Sequence, residues 1–224
     1  MDNFRFYAPT EVVFGRDVEN QTDEIAEGLL RTVIKNGKLV VEDPLFYYMR
    51  TLKELMLLYE GLDNALLIGG GGMAFPQYYL NCVPNGRMTV VEKDARMPDL
   101  ARKFFFCEDD DRVNVLIGDG ASYIAKRAVD SNALVKYDVV IFDAFEGRRP
   151  SKELSSEGMY KLTRQILDEN GILAINMLNE GPGVISMQTH LAQAMLKNIF
   201  RNTRIINCQM GWNCILLASD RELI

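Results

Sequence analysis

From about residue 65 onward, short apolar runs rich in Val and Ile alternate with longer stretches that have the periodicity of a helix. Strands that alternate with helices are joined by right-handed crossovers, so they lie parallel and are covered on both faces. The pattern therefore predicts a doubly wound α/β sheet. The predicted strands are 65–70, 88–93, 113–118, 137–143, 171–177, 204–209 and 213–219, and the helices lie near 74–82, 96–106, 120–130, 155–168 and 184–200.

The last two predicted strands are connected differently from the others. Between 204–209 and 213–219 there is only a short connection containing Met-Gly-Trp, which leaves no room for a helix. These strands must therefore form an antiparallel hairpin at the edge of the sheet. Five helix-linked strands closed by such a hairpin resemble the class I S-adenosylmethionine (SAM) dependent methyltransferase fold, which implies a Rossmann-like, mostly parallel sheet of seven strands.

The N-terminal part of the chain has another pattern. Two short β-like segments, 11–14 and 38–42, are separated by a polar stretch and suggest a small β module. Residues 45–60 then have the spacing of an amphipathic helix. We therefore expect a β module at 1–43 and the Rossmann-like domain at 44–224.

Charge and composition argue against several classes of function. With 25 Lys and Arg against 31 Asp and Glu, the net charge of −6 argues against binding nucleic acid through its phosphates. The N-terminus lacks a signal-peptide pattern and no apolar run is long enough to cross a bilayer, so we expect a cytoplasmic protein with no membrane partner. His190 is the single histidine and the four cysteines form no CxxC pair, so we expect no metal centre.

A run of glycines follows the first predicted strand of the main domain. Residues 66–73 read LLIGGGGM, so the turn between a strand and a helix carries Gly69, Gly70, Gly71 and Gly72. Glycine allows positive φ angles and lets a ligand lie directly on the backbone. A simple tight turn is the alternative, so the glycines indicate a ligand site only in combination with the residues that follow.

Acidic residues end the next two predicted strands. Glu92 stands where a doubly wound fold presents a carboxylate to ribose hydroxyls. Asp119, followed by Gly120, is placed to accept a hydrogen bond from an adenine amino group, or to cap the next helix, and both roles can coexist. A dinucleotide motif also fits the glycine spacing with Ala74 in its last position, but the closing hairpin and the Gly-Asp-Gly element favour an adenosyl sulfonium.

These motifs resemble those of the spermidine synthases, in the same order. LLIGGGGM resembles that family's glycine motif ending GGGDGG, and VVEKD resembles its VEID. DDDRVNVLIGDGASYI resembles DPRVxxxxxDGxxF, and YDVVIFDAFEG resembles YDVIIxDSSDP. The likeness covers roughly residues 37–219.

The resemblance implies that decarboxylated SAM gives its aminopropyl group to an amine. By position in the motifs, Glu146 would accept the amine proton, Asp143 would lie beside the cofactor, and Tyr47 would help to position the amine. Glu146 also fits a surface acid paired with one of the arginines that follow it.

The sequence departs from the spermidine synthase pattern at the acceptor end. Gly72 replaces the aspartate of GGGDGG, and Tyr48 and Met49 replace the His-Glu pair that follows the family's tyrosine. A dication in a partly buried site needs opposing charge, so fewer acids argue against putrescine. An aspartate at position 72 would repel the carboxylate of SAM, which decarboxylated SAM lacks. Glycine at this position therefore favours SAM over decarboxylated SAM.

These observations lead us to expect a spermidine synthase-like transferase that alkylates a small nucleophile such as an amine, using SAM or decarboxylated SAM. The alternatives are a SAM-dependent methyltransferase with a non-polyamine acceptor and a non-catalytic nucleoside-binding homologue. We expect a small-molecule acceptor and a homodimer.

Overall fold

The computed structural model describes residues 4–7, 11–14, 31–35, 38–43, 46–104, 107–130, 135–146 and 149–224. Its centre is a sheet of seven strands, which are β5 Asn64–Ile68, β6 Arg87–Glu92, β7 Val113–Ile117, β8 Tyr137–Phe142, β11 Leu167–Leu178, β12 Asn202–Asn207 and β13 Asn213–Ser219. Their order across the sheet is β12-β13-β11-β8-β5-β6-β7. The helices are α1 Tyr47–Leu58, α2 Ala74–Cys82, α3 Met97–Phe104, α4 Gly120–Val129, α5 Glu157–Ile166 and α6 Met187–Leu196.

The pairing of the strands confirms the predicted doubly wound sheet. β7, β6, β5, β8 and β11 are parallel neighbours, whereas β13 is antiparallel both to β11 and to β12. The last two strands thus form the predicted hairpin, with β12 at the edge. β11 begins at Leu167, earlier than predicted, because Leu167 already pairs with Tyr137 before a register shift.

Both faces of the sheet are buried, as strands with continuous apolar runs require. On β8, Val139 and Ile141 belong to one apolar cluster, while Val140 and Phe142 belong to the other. The first cluster takes side chains from α1 and α2, and the second takes side chains from α4, α5 and α6. This alternation fixes the strand register, because a slip of one residue would exchange the two faces.

The N-terminal segments pair as two separate ladders. β1 Phe4–Tyr7 is antiparallel to β2 Glu11–Phe14, and β3 Arg31–Lys35 is antiparallel to β4 Lys38–Asp43. The two β-like segments expected here are therefore strands, and each has a partner that the sequence did not indicate. The division into units at 1–43 and 44–224 stays a prediction.

A short hairpin follows β8. It consists of β9 Phe145–Glu146 and β10 Arg149–Pro150. Within the described ranges, no helix is both long and apolar enough to cross a membrane.

Candidate functional site

The loops that follow four parallel strands meet at the carboxyl edge of the sheet. Gly69 N donates to the carbonyl of Val91 at 2.9 Å, and Asp143 N donates to the carbonyl of Ile68 at 2.9 Å. Gly118 N donates to the carbonyl of Glu92 at 2.8 Å. The structure therefore brings together the glycine turn and the loops that carry the other predicted cofactor residues.

The glycine turn begins at a position that requires glycine. Gly69 has φ +94°, and a Cβ at this position would collide with the carbonyl oxygen of Asp143. Gly71 also has a positive φ, of 48°. The turn closes at Met73, whose N–H donates to the carbonyl of Gly70 at 2.9 Å and whose own φ is 55°. The backbone of the turn is thus shaped by its contact with Asp143, the residue that follows β8.

Glu92 holds the glycine turn through its carboxylate. Oε2 accepts from Gly70 N at 2.8 Å and from Gly71 N at 3.0 Å, and Oε1 accepts from Asp94 N at 2.9 Å. The residue is 7% exposed. Because a carboxylate offers about four acceptor positions, these three bonds leave about one for a ligand hydroxyl. The sequence predicted Glu92 as a ribose ligand but gave no sign of this bond to the turn.

Asp119 caps the following helix. Its Oδ1 accepts from Ser122 N at 2.8 Å, and this hydrogen bond holds the pKa of the carboxyl below its usual range. The capping alternative is therefore observed, while the predicted contact with adenine stays a prediction. At Gly120, a Cβ would collide with the Ile68 side chain, so glycine lets α4 begin close to the end of β5.

Asp143 is the most perturbed acid at this edge. Its Oδ2 accepts from the Tyr48 hydroxyl at 2.9 Å, and its Oδ1 accepts from Asn176 Nδ2 at 2.8 Å. Asn176 Oδ1 accepts in turn from Asn213 Nδ2 at 2.9 Å. Desolvation raises the pKa of Asp143 to about 7, against the lowering effect of its two hydrogen bonds and with a smaller contribution from Glu92. Asp143 is thus an acid that changes its charge near neutral pH.

Tyr48, rather than Tyr47, is the tyrosine of α1 that contacts this network. Tyr48 is 5% exposed, whereas Tyr47 is only partly buried and its ring lies 5.2 Å from the Arg50 guanidinium. The buried face of α1 includes Tyr48, Leu52 and Leu55. That spacing is the signal that identifies Tyr48 as inward-facing. The motif comparison missed it because it matched Tyr47 to the family's tyrosine.

Glu146 lies apart from the buried network. It is exposed at the end of β9, opposite Arg149 in the short hairpin. Nearby, Ser151 Oγ donates to Glu153 at 2.8 Å, and the pKa of Glu153 is lowered mainly by this bond, with a smaller contribution from Glu146. The arginine side chains that could pair with Glu146 lie outside the described residues. The structure therefore places Glu146 on the rim of the site.

Metal ligands are not grouped in the part of the chain that the structure describes. No cluster of three or more His, Cys, Asp or Glu side chains suited to a metal ion occurs there. His190 is exposed on α6.

The strand order, the reversed strand β13 and the glycine turn define a domain of the SAM-dependent methyltransferase fold class. The fold is similar to that of human methyltransferase-like protein 13 in complex with SAH, with a TM-score of 0.69 and 24% identity over 80% of this chain and 86% of that chain. It is also similar to a spermidine synthase in complex with the transition state analogue AdoDATO, with a TM-score of 0.67 and 21% identity over 97% of this chain and 74% of that chain. These likenesses establish the fold.

Residues 45–215 match the family model described as "Spermine/spermidine synthase domain", so the chain belongs to that family. Similar curated proteins include the polyamine aminopropyltransferase of Vibrio vulnificus, 28% identical over 58% of this chain and 43% of that protein. The eEF1A lysine and N-terminal methyltransferase of Danio rerio is 29% identical over 51% of this chain and 17% of that protein. The chain thus spans less than half the length of these curated relatives.

Proposed function

We propose that this chain is a transferase that binds an adenosyl sulfonium on the glycine turn and moves an alkyl group to a small nucleophile. The observation that carries the proposal is the convergence of Gly69 to Gly72, Glu92, Asp119 and Asp143 at one edge of the sheet. Ligands of doubly wound sheets bind at the carboxyl ends of the strands, and the match to the spermine/spermidine synthase family supports an adenosyl group as the ligand of this edge.

The reaction is a displacement at a carbon attached to the sulfonium. The lone pair of the nucleophile forms the new bond to carbon while the carbon–sulfur bond breaks and its electrons remain on the departing thioether. An amine nucleophile must first be neutral, and its proton passes to a carboxylate. Glu146 is our candidate for this acceptor, and Tyr47 is our candidate for positioning the amine.

Methyl transfer from SAM is the second candidate function. It is favoured by Gly72, which removes the acid that the family's motif places beside the aminopropyl end. The backbone amides near the start of α2 suit the carboxylate that SAM has and decarboxylated SAM lacks. The eEF1A lysine and N-terminal methyltransferases among the relatives agree with this candidate.

Calorimetric titration with SAM, decarboxylated SAM and methylthioadenosine in parallel tests the proposal. We expect binding of at least one sulfonium and of methylthioadenosine. Binding of none would refute the cofactor assignment. A preference for SAM supports methyl transfer, whereas a preference for decarboxylated SAM supports aminopropyl transfer.

Glu146→Gln separates catalysis from binding. We expect it to lower kcat and leave the Kd of the sulfonium within about twofold, because Glu146 lies on the rim rather than in the glycine turn. An unchanged kcat would show that Glu146 is not the proton acceptor. If neither the wild type nor Glu146→Gln turns over although both bind the sulfonium tightly, the result would favour a non-catalytic homologue. A homodimer in the cytoplasm is part of the proposal, and light scattering tests the dimer.

A further inference from the structure

Large apolar side chains are exposed where β11 and β12 end. Residues 179–186 connect β11 to α6, and residues 208–212 connect β12 to β13. Four side chains from these connections and from the first turns of α6 form what we call the apolar face: Val184, Met187, Leu191 and Trp212. Each of them is between 54% and 65% exposed. Together they leave roughly 450 Å² of surface in water, a size at which an apolar patch on a soluble protein is often functional.

The segments that carry the apolar face are held against one another by their backbones. Gly183 N donates to the carbonyl of Gly211 at 2.9 Å, and these two glycines immediately precede the members of the face in the loop and in the turn. Gly211 has φ +69°, and a Cβ there would collide with Gly183 N, so glycine lets the turn lie directly on the loop. The helix members, Met187 and Leu191, are one helical turn apart and share one side of α6. The apolar face is therefore one continuous surface.

α6 cannot rotate to bury this surface against its own chain. Its other side carries Thr189, Ala192 and Leu196, which are buried. Thr189 N donates to the Oγ of the capping residue Ser186 at 3.3 Å, and the hydroxyls of these two residues lie 2.9 Å apart. The helix members of the apolar face therefore stay in water unless a second molecule covers them.

The segments that form the apolar face carry almost no charge. Residues 181–196 and 205–219 contain no Asp, Glu, Lys or Arg, although these four residue types make up 25% of the chain. His190, exposed on α6, is the one titratable side chain of residues 181–196. Glu180 stands at the edge of the face, where its Oε1 accepts from Met187 N at 3.3 Å. The face therefore offers a partner apolar area and no charge with which to pair.

We propose that the apolar face joins two copies of this chain across a twofold axis. In a twofold contact the same surface meets itself, so a charge near the axis faces a like charge. Because the chain has a net charge of −6, two copies repel each other over most of their surface, and the repulsion is weakest at a face without ionised side chains. A different protein is steered by complementary charge, which this face does not supply. A second copy is therefore the partner that fits.

The area of the apolar face agrees with a dimer. Two copies of it would bury roughly 900 Å² at the centre of an interface whose standard total is about 1,600 Å². Met and Trp, which supply two of its members, are also enriched at the centres of interfaces. This inference rests on the homodimer that is part of the proposed function and identifies the surface that forms it. It does not depend on the identity of the sulfonium or of the acceptor.

Trp212 makes the contact directly measurable, because it is the single tryptophan of the chain. Its fluorescence emission lies at longer wavelength in water than in an apolar contact. Sedimentation velocity over a concentration series gives the Kd of the dimer, and the emission maximum at the same concentrations shows whether the apolar face is covered. We expect a dimer whose Trp212 emission moves to longer wavelength as dilution separates the copies.

Leu191→Glu and Leu191→Lys test the contact with charges of both signs. We expect each to raise the dimer Kd at least about tenfold, because each would bring an unpaired charge into a desolvated contact. Leu191→Lys also reduces the net negative charge, so it would tighten the dimer if overall repulsion alone set the Kd. Leu57→Glu is the matched control. Leu57 is 61% exposed on α1, which packs on the opposite face of the sheet from α6, so the Kd of this variant should stay within about twofold of the wild type.

Each outcome separates the contact from the rest of the proposed function. A wild type that is monomeric at every concentration would overturn the inference and the homodimer with it. If the wild type is a dimer but neither Leu191 variant weakens it, the homodimer stands and the apolar face is not its contact. Equal weakening by Leu57→Glu, with all variants folded by far-UV circular dichroism, would also overturn the inference. A wild type that fails to bind methylthioadenosine would refute the cofactor assignment and leave the contact between copies intact.

Discussion

Replacing Asp143 by asparagine should change how the stability of the protein depends on pH. In the folded protein the pKa of Asp143 is about 7, compared with an ordinary value of 3.8. Asparagine has nearly the same shape and no charge. Its oxygen can accept from Asn176, and its NH₂ can donate to the Tyr48 hydroxyl, which is able to accept as well as donate. Asp143→Asn should therefore fold with the network largely intact.

The sign follows from the number of protons that each state binds. Between pH 3.8 and about 7, the folded state holds the Asp143 proton and the unfolded state releases it, so the free energy of unfolding falls as pH rises. Each unit of pKa shift corresponds to about 1.4 kcal/mol, so the wild type loses about 4 kcal/mol across this window. Stability from this group is fully present below pH 3.8 and lost above pH 7. The asparagine variant has no such loss.

Urea unfolding followed by far-UV circular dichroism at pH 5 and pH 8 measures the effect. The difference in free energy of unfolding, variant minus wild type, should rise by about 2 to 3 kcal/mol from pH 5 to pH 8. Asp110→Asn is the control, because its partner Arg112 holds the pKa of Asp110 below its usual range, so its titration is complete before pH 5. A difference that stays constant for Asp143→Asn would refute the argument that burial raises this pKa.

Three further pairs of variants test the local structure by urea unfolding and calorimetry. Gly69→Ala should lower the free energy of unfolding by at least about 2 kcal/mol, because φ is positive there and the new Cβ would collide with the Asp143 carbonyl. Gly118→Ala, with open space at its Cβ, should stay within about 1 kcal/mol of the wild type. Met73→Gly should lower the free energy of unfolding by about 2 to 4 kcal/mol, because the loss of a buried side chain outweighs the relief of a positive φ. Met210 also has a positive φ, of 64°, but its side chain is exposed, so Met210→Gly should be nearly neutral. Equal effects of the two substitutions would contradict this reasoning. Asp119→Ser should keep the helix cap, whereas Asp119→Ala should lose it and lower the free energy of unfolding by about 1 kcal/mol. Both variants should weaken methylthioadenosine binding. An unchanged Kd in the serine variant would show that Asp119 does not contact the adenine.

The fold could be predicted from the sequence because each strand carries its own signal. Continuous apolar runs such as 139–142 are required of strands that are buried on both faces, and helices separate all but the last pair. The early start of β11 escaped prediction. Residues 167–171 read LDENG, and their polar residues continue the pattern of the preceding helix. The strand begins there because Leu167 pairs with Tyr137.

The site could be predicted only in part, because motifs locate loops and not the side chains that meet between them. The sequence placed Glu92, Asp119 and Asp143 at the carboxyl ends of their strands, where the structure has them, but their contacts with a cofactor stay a prediction. The contact of Glu92 with the glycine amides depends on a turn geometry that no motif specifies. Asn176 and Asn213 had a usable signal, since each is a polar residue beside or within a buried apolar strand and a buried polar group needs a partner. The identity of the hydrogen-bond partner, however, depends on the tertiary structure.

The effect of the Asp143 carboxylate on stability helps to decide whether this residue takes part in the reaction. At pH 8 the wild type carries a partly buried charge that an asparagine would avoid, so the carboxylate lowers the free energy of unfolding at the position where the proposed chemistry occurs. Structural networks can also contain such groups, so stability alone does not assign a role. If Asp143→Asn is more stable at pH 8 and loses transfer while still binding methylthioadenosine, the carboxylate serves the reaction. If the variant is more stable and transfers as well as the wild type, Asp143 only shapes the edge of the sheet, and the acid required for transfer must be sought on the rim.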